Sequence, residues 1–145
     1  MLRVGICRDI LDDLPEWFGL PEAKETYIDT ASRLPMLTFM RDHQPIGFVS
    51  IKQHTMHAAE LYVLGVKRQL HRRGIGRALI KASIDYARAR GFDYLTVKTL
   101  AALHPDSYYA ETRKFYEAVG FRPVETFPTL WGATNPCVMM ILPLK

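Results

Sequence analysis

The sequence predicts a single α/β domain, 1–145, built on a mixed, mostly antiparallel sheet of about seven strands with about four helices over its two faces. Three observations carry that prediction. Short apolar runs of strand length recur along the chain, and segments with apolar residues at helical spacing separate them. Across 61–79 a strand, a basic glycine-bearing turn and a helix follow one another directly. The chain has 145 residues, 48% hydrophobic and 23% charged, which suits one core of ordinary composition.

Taken in order, 2–8 alternates apolar and polar residues through Leu2, Val4 and Ile6, the period of a strand. Two amphipathic segments follow at 10–18 and 21–33, the second opening on Pro21, where a first-turn N–H has no partner to lose. Apolar runs at 36–41 and 46–53 flank Asp42, His43, Gln44 and Pro45, whose composition suits a hairpin loop. A further strand spans 59–66. Ile75, Leu79, Ala82 and Tyr86 recur with helical spacing, and Gly91 after Arg88 and Arg90 supplies a C-terminal stop. Strand formers fill 94–100, and a helix capped by Asp106 or Ser107 presents Tyr108, Thr112, Phe115 and Val119 until Gly120. Strands at 121–127 and 137–142 close the chain around a loop with prolines, Trp131 and Gly132.

Composition narrows the function classes. No stretch approaches the ~20 apolar residues that span a bilayer, and no export signal opens the chain, so no membrane partner is expected. Cys7 and Cys137, both placed in terminal strands, form neither a disulfide framework nor a metal-ligand cluster, so no metal is expected and a reducing cytoplasm is the default. The formal net charge is +4, yet Lys67, Arg68, His71, Arg72, Arg73, Arg77 and Lys81 crowd together. On charge alone this is a solvated helix face or a nucleic-acid patch.

The glycines in that run alter its meaning. Gly74 and Gly76 at a helix start let backbone N–H groups approach a phosphate, which the helix dipole and adjacent arginines also favour. A Walker A loop would require Lys-Ser/Thr after the last glycine, where this chain has Arg77-Ala78. A dinucleotide fingerprint would carry three glycines after an early strand. Neither fits.

The segment His71-Arg72-Arg73-Gly74-Ile75-Gly76 resembles the acyl-coenzyme A signature of the GNAT acetyltransferase superfamily, with His71 where glutamine or arginine is usual. A second block, Arg113 to Phe121 with Tyr116 followed by Gly120-Phe121, is similar to the family's later helix. The resemblance covers essentially the whole chain. It implies a splayed central strand pair that holds acetyl-CoA, with 71–76 and Arg77 on the phosphates and Leu64, Gly65 and Val66 along the pantetheine arm. Gly65 is then a bulge that frees a backbone N–H, from Leu64, to polarise the thioester carbonyl. Seven residues before Tyr116, where many relatives carry a cofactor-contacting asparagine, this chain has Tyr109, which takes the same place in the cofactor site.

An amine nucleophile is protonated at neutral pH and needs a base. The resemblance assigns that role to Glu60, fourteen residues before Gly74, with His57 as a substitute through a water. Strand alternation places Glu60, Tyr62, Leu64 and Val66 on one face. Tyr116 matches the tyrosine that protonates the departing thiolate of coenzyme A.

The acceptor pocket of this family lies opposite the coenzyme, where this chain offers Trp17, Phe18 and Tyr27 early, and Lys98, Tyr108, Phe127 and Trp131 late. Aromatic side chains there hold a cationic amine or simply fill the core. Lys98, inside an apolar run, either reaches solvent or meets an anionic group on a substrate. The expected activity is acetyl transfer from acetyl-CoA to a primary amine through a ternary complex, with a small-molecule acceptor, no nucleic acid, and a homodimer compatible with it. Alternatives are a protein lysine or N-terminal acetyltransferase and a non-catalytic acyl-CoA sensor.

Overall fold

The computed structural model describes residues 2–14, 21–70, 74–100, 107–131 and 136–145. Its elements run α1 (Arg3–Asp12), α2 (Pro21–Ala31), β1 (Met36–Arg41), β2 (Gln44–Gln53), β3 (Ala58–Val66), α3 (Ile75–Ala89), β4 (Tyr94–Leu100), α4 (Ser107–Val119), β5 (Arg122–Phe127) and β6 (Cys137–Pro143). They form a six-stranded sheet in the order β1-β2-β3-β4-β6-β5. All pairs are antiparallel except β3 with β4, the two strands joined through α3.

The expected first strand is helical, so the sheet has six strands rather than seven. Ile6, Cys7, Ile10, Leu11 and Leu14 are buried, a helical stripe, whereas Leu2 is 83% exposed. Cys7 therefore lies in a helix and Cys137 in a strand, both buried and unpaired with each other. The hairpin at 42–45 is tighter than expected: Asp42 and His43 adopt φ values of 51° and 63°, a two-residue turn whose twist suits paired strands, and Gln44 and Pro45 belong to β2.

Helices α1 and α2 cover one face, where Ile6, Cys7, Ile10, Leu11, Ile28 and Ala31 pack on Phe48 and Val63. Helix α3 covers the other through Ile75, Leu79, Ile80, Ser83 and Ala87. The buried stripe is rotated from the one expected. Ala82 faces out, and Tyr86 is half-buried beneath Arg90, whose guanidinium lies 3.5 Å from the ring centre. Gly91, at φ 79°, ends α3 as expected, with Phe92 N–H reaching the Ala87 carbonyl at 3.0 Å. Among the described residues no helix is long and apolar enough to cross a membrane.

Candidate active site

The central feature is the opening between the two parallel strands. Strands β3 and β4 pair only at Ala58 with Tyr94, Ala59 with Leu95 and Glu60 with Thr96. Beyond Glu60 they part. Strand β4 continues in register with β6 to Leu100, while β3 continues with β2 to Val66, so the C-terminal halves border a wedge with its apex at Glu60.

A bulge in β3 controls what the wedge displays. Ser50 faces Val63 but Ile51 faces Leu61, so Tyr62 is the extra residue. The bulge is therefore at Tyr62 and not at Gly65, which stays in register with Phe48. Gly65 is small for another reason: a Cβ there would lie 3.0 Å from Ile10 and 3.3 Å from Leu11, where α1 presses on the strand. The bulge also breaks the single face expected for Glu60, Tyr62, Leu64 and Val66. Tyr62 and Val63 pack with the α1/α2 core, while Leu61, Leu64 and Val66 pack with the α3/α4 core.

The backbone of β3 beyond the bulge is polarised across the wedge. Lys67 N–H bonds the Ile46 carbonyl at 3.0 Å, and Phe48 faces Gly65 in the same register. By antiparallel alternation the Leu64 N–H then points away from β2, toward the opening. This is the strand edge along which an extended amide chain can lie.

At the mouth of the wedge stands the N-terminus of α3. Gly74 caps it with φ 80°, a left-handed conformation that costs other residues strain, and a Cβ there would meet nothing within 4 Å. Ala78 N–H closes the first turn onto Gly74 O at 2.9 Å, so the N–H groups of Ile75, Gly76 and Arg77 have no partner within the helix. Gly76 also admits α4, since its Cβ would lie 3.3 Å from the Phe115 ring, over which Arg77 sits at 5.9 Å. The approach is tied to α1: Asp9 pairs with Lys67 at 2.9 Å, and Asp13 accepts the Arg68 N–H at 2.7 Å. His71, Arg72 and Arg73 lie outside the described residues, as do Trp17 and Phe18; the side chains of Tyr108 and Tyr109 do as well.

At the apex Glu60 is buried, with its side chain 6% exposed. Lys98 donates to both of its oxygens, at 3.2 Å and 3.1 Å, and His54 Nε2 lies 2.6 Å from Oε1. Lys98 thus neither waits for an anionic substrate nor simply reaches solvent, because its charge is committed to Glu60. His54 is the residue the sequence reading missed; it sits in the turn after β2, and the tertiary pairing of β2 with β3 brings it to Glu60. The expected substitute, His57, points elsewhere. Its Nδ1 lies 2.7 Å from Asp93 at the closed end of the strand pair.

On the α1/α2 face the Tyr27 and Tyr62 rings meet at a tilt, 5.6 Å between centres, and Lys52 lies 5.4 Å above the Tyr62 ring. Burial pushes the Tyr27 hydroxyl up to about 12, with smaller effects from Tyr62, Cys137 and Glu60. Burial likewise pushes the Cys137 thiol up to about 11. Both are neutral at physiological pH. On the α3/α4 side Tyr116 is 5% exposed, against Phe115 at 5.9 Å and Phe121 at 5.5 Å. The Thr99 hydroxyl, on the β4 segment beyond the apex, is buried without a hydrogen-bond partner. Trp131 is half-buried in the turn after β5.

An open helix start, a polar strand edge and a buried carboxylate cluster around one wedge suit a coenzyme A-type cofactor. The comparisons agree. The family model described as acetyltransferase (GNAT) family matches residues 5–121. A mycothiol acetyltransferase of Beutenbergia cavernae is 42% identical over 65 residues, which are 45% of this chain and only 20% of that protein. A putative GNAT acetyltransferase from Desulfovibrio desulfuricans superposes with TM-score 0.82 at 20% identity, covering 98% of this chain and 92% of its own. An aminoglycoside 6'-N-acetyltransferase complexed with coenzyme A superposes with TM-score 0.70 at 18% identity, over 92% of this chain and 90% of its own. The chain belongs to the GNAT acetyltransferase family.

Proposed function

We propose that this protein transfers an acetyl group from acetyl-CoA to a small primary amine by direct attack in a ternary complex. The observation that carries this reading is the position of the buried Glu60 cluster at the apex of the wedge, between the α3 start on one side and the Tyr27–Tyr62 face on the other. Acetyl-CoA supplies an activated thioester when bound. The residues at 71–77 would hold its phosphates, with Leu64, Gly65 and Val66 along the arm and the Leu64 N–H directed at the thioester carbonyl. Glu60 anchors the base that relieves the amine of its proton, and Tyr116 donates one to the leaving thiolate.

Direct attack is favoured over relay through a thiol. Cys137 is fully buried and its pKa is raised to about 11, so it is a neutral, inaccessible thiol near pH 7. The half-buried Tyr27 and Tyr62 rings offer an aromatic surface near Glu60 that suits a small cationic amine. Free, buried cysteines suit a reducing cytoplasm.

The test is acetyl-CoA with a panel of amines, following free thiol: kanamycin, spermidine, an alanine-initiated peptide and an internal-lysine peptide. A small amine should turn over fastest; turnover confined to the peptides would sink the small-molecule assignment. Tyr116→Phe should lower kcat by about 10²-fold with acetyl-CoA affinity near normal. Unchanged kcat would remove Tyr116 from the acid role.

A further inference from the structure

We infer that His54 takes the proton from the acceptor amine at its Nδ1, with Glu60 holding the ring in the Nε2–H tautomer and stabilising the imidazolium that forms. This rests on the acetyl-transfer reading above and deepens it by dividing the base function between two residues.

Hydrogen-bond bookkeeping at the carboxylate leads there. Lys98 donates to Oε1 and Oε2, and His54 Nε2 lies 2.6 Å from Oε1. Two lone pairs do not face each other at such a distance, so a proton lies between Nε2 and Oε1. Because Lys98 donates to both carboxylate oxygens, Glu60 is the acceptor and that proton is assigned to Nε2. The ring's second nitrogen, Nδ1, then carries the remaining lone pair. Glu60 is the buried member of the pair at 6% exposed, while His54 is 38% exposed and opens to the surface.

The geometry divides the labour accordingly. A carboxylate already accepting three hydrogen bonds, two of them from a cation, is a poor acceptor for a fourth proton, but it is well placed to orient an imidazole. In the step proposed, an N–H bond of the acceptor ammonium breaks and an N–H bond forms at Nδ1, directly or through one water. The imidazolium then releases that proton to solvent from its exposed side. No electrons change hands.

Among the described residues, Lys98 approaches Glu60 from β4, Lys52 lies opposite it across the β2–β3 pair, and Tyr27 from α2 and Cys137 from β6 stand nearby. Tyr27 and Cys137 are neutral near pH 7, leaving Lys98 and Lys52 as the cations beside the carboxylate.

Two measurements test the assignment. Nitrogen-15 NMR of the ring in the acceptor-free protein should show the Nε2–H tautomer; an Nδ1–H tautomer would overturn the proposal without reference to any substrate. With kanamycin or whichever of the four panel amines turns over, His54→Gln keeps a donor for Glu60 but lacks the base. It should lower kcat/KM about 10²-fold near pH 7 and abolish the acid limb of the pH profile. His54→Ala should recover rate with added imidazole, whereas His54→Gln at wild-type rate and profile would give the proton to Glu60 itself. That last outcome leaves acetyl transfer intact. Failure of all four amines with wild-type protein, beside the expected tautomer, would instead count against the acetyl-transfer reading on which the assignment rests.

Discussion

Two clusters in this protein have the same three kinds of residue and opposite environments. His54, Glu60 and Lys98 meet at the apex of the wedge, and His57, Asp93 and Lys145 meet at the closed end of the same strand pair. In the first the carboxylate side chain is 6% exposed and its lysine 25%. In the second the histidine is 66% exposed and the lysine 77%. Composition does not distinguish them; position does. One lies where β3 and β4 separate, and the other ties His57 and Lys145 to Asp93 just before β4, where the Asp93 and Tyr94 N–H groups also bond the His57 carbonyl. On the proposed reading the apex cluster serves the chemistry, whereas the closed-end cluster fastens strand ends.

The largest contrast should come from removing each carboxylate. Glu60→Gln should reduce acetyl transfer by about 10²- to 10⁴-fold, since both orientation and charge of the base are lost. It should also cost about 2 kcal/mol of stability, below the ~3–5 of a fully buried broken pair because Lys98 retains some solvent. Asp93→Asn should leave turnover unchanged. Equal losses of activity from both changes, with both proteins folded by circular dichroism, would erase the distinction.

Removing each lysine gives a smaller effect with a definite sign. Lys98→Met takes away the cation that donates to both Glu60 oxygens, so the acid limb of the rate profile should move to higher pH. Lys145→Met should not move it. A limb that stays in place in Lys98→Met would mean that Lys98 is held there for packing alone.

Why one cluster was partly legible in the sequence and the other was not follows from how each is assembled. The α3 start is local, since Gly74, Gly76 and the arginines are contiguous and their meaning survives without tertiary contacts. Glu60 and Tyr116 were reachable through the family pattern around them. The Glu60–Lys98 pair spans 38 residues and depends on which strands become neighbours. His54 reaches Glu60 across the turn that joins β2 to β3, where Gln53 pairs with Ala59 and Lys52 with Glu60, a register no local pattern announces. The first segment misled for a different reason. Leu2 and Val4 alternate with Ile6 like a strand, but the buried residues are Ile6, Cys7, Ile10, Leu11 and Leu14, and burial follows the helical period.

The smallest effect belongs to the closed-end cluster and appears in stability rather than rate. Hydrogen bonds from Lys145 first, and from His57 next, hold the Asp93 carboxyl below its ordinary 3.8. A depressed carboxylate contributes stability above its unfolded pKa and loses it as pH falls through the lower folded value. The gap in Tm between wild type and Asp93→Asn should therefore be constant from neutral pH down to about 4 and close below that. Lys145, raised above 10.5 by the same contact, adds the mirror effect, present below that value and lost as pH climbs through the folded pKa. A gap that persists unchanged into strong acid would show that Asp93 stabilises the strand ends through its shape and neutral hydrogen bonds, and the clusters would then differ in more than burial.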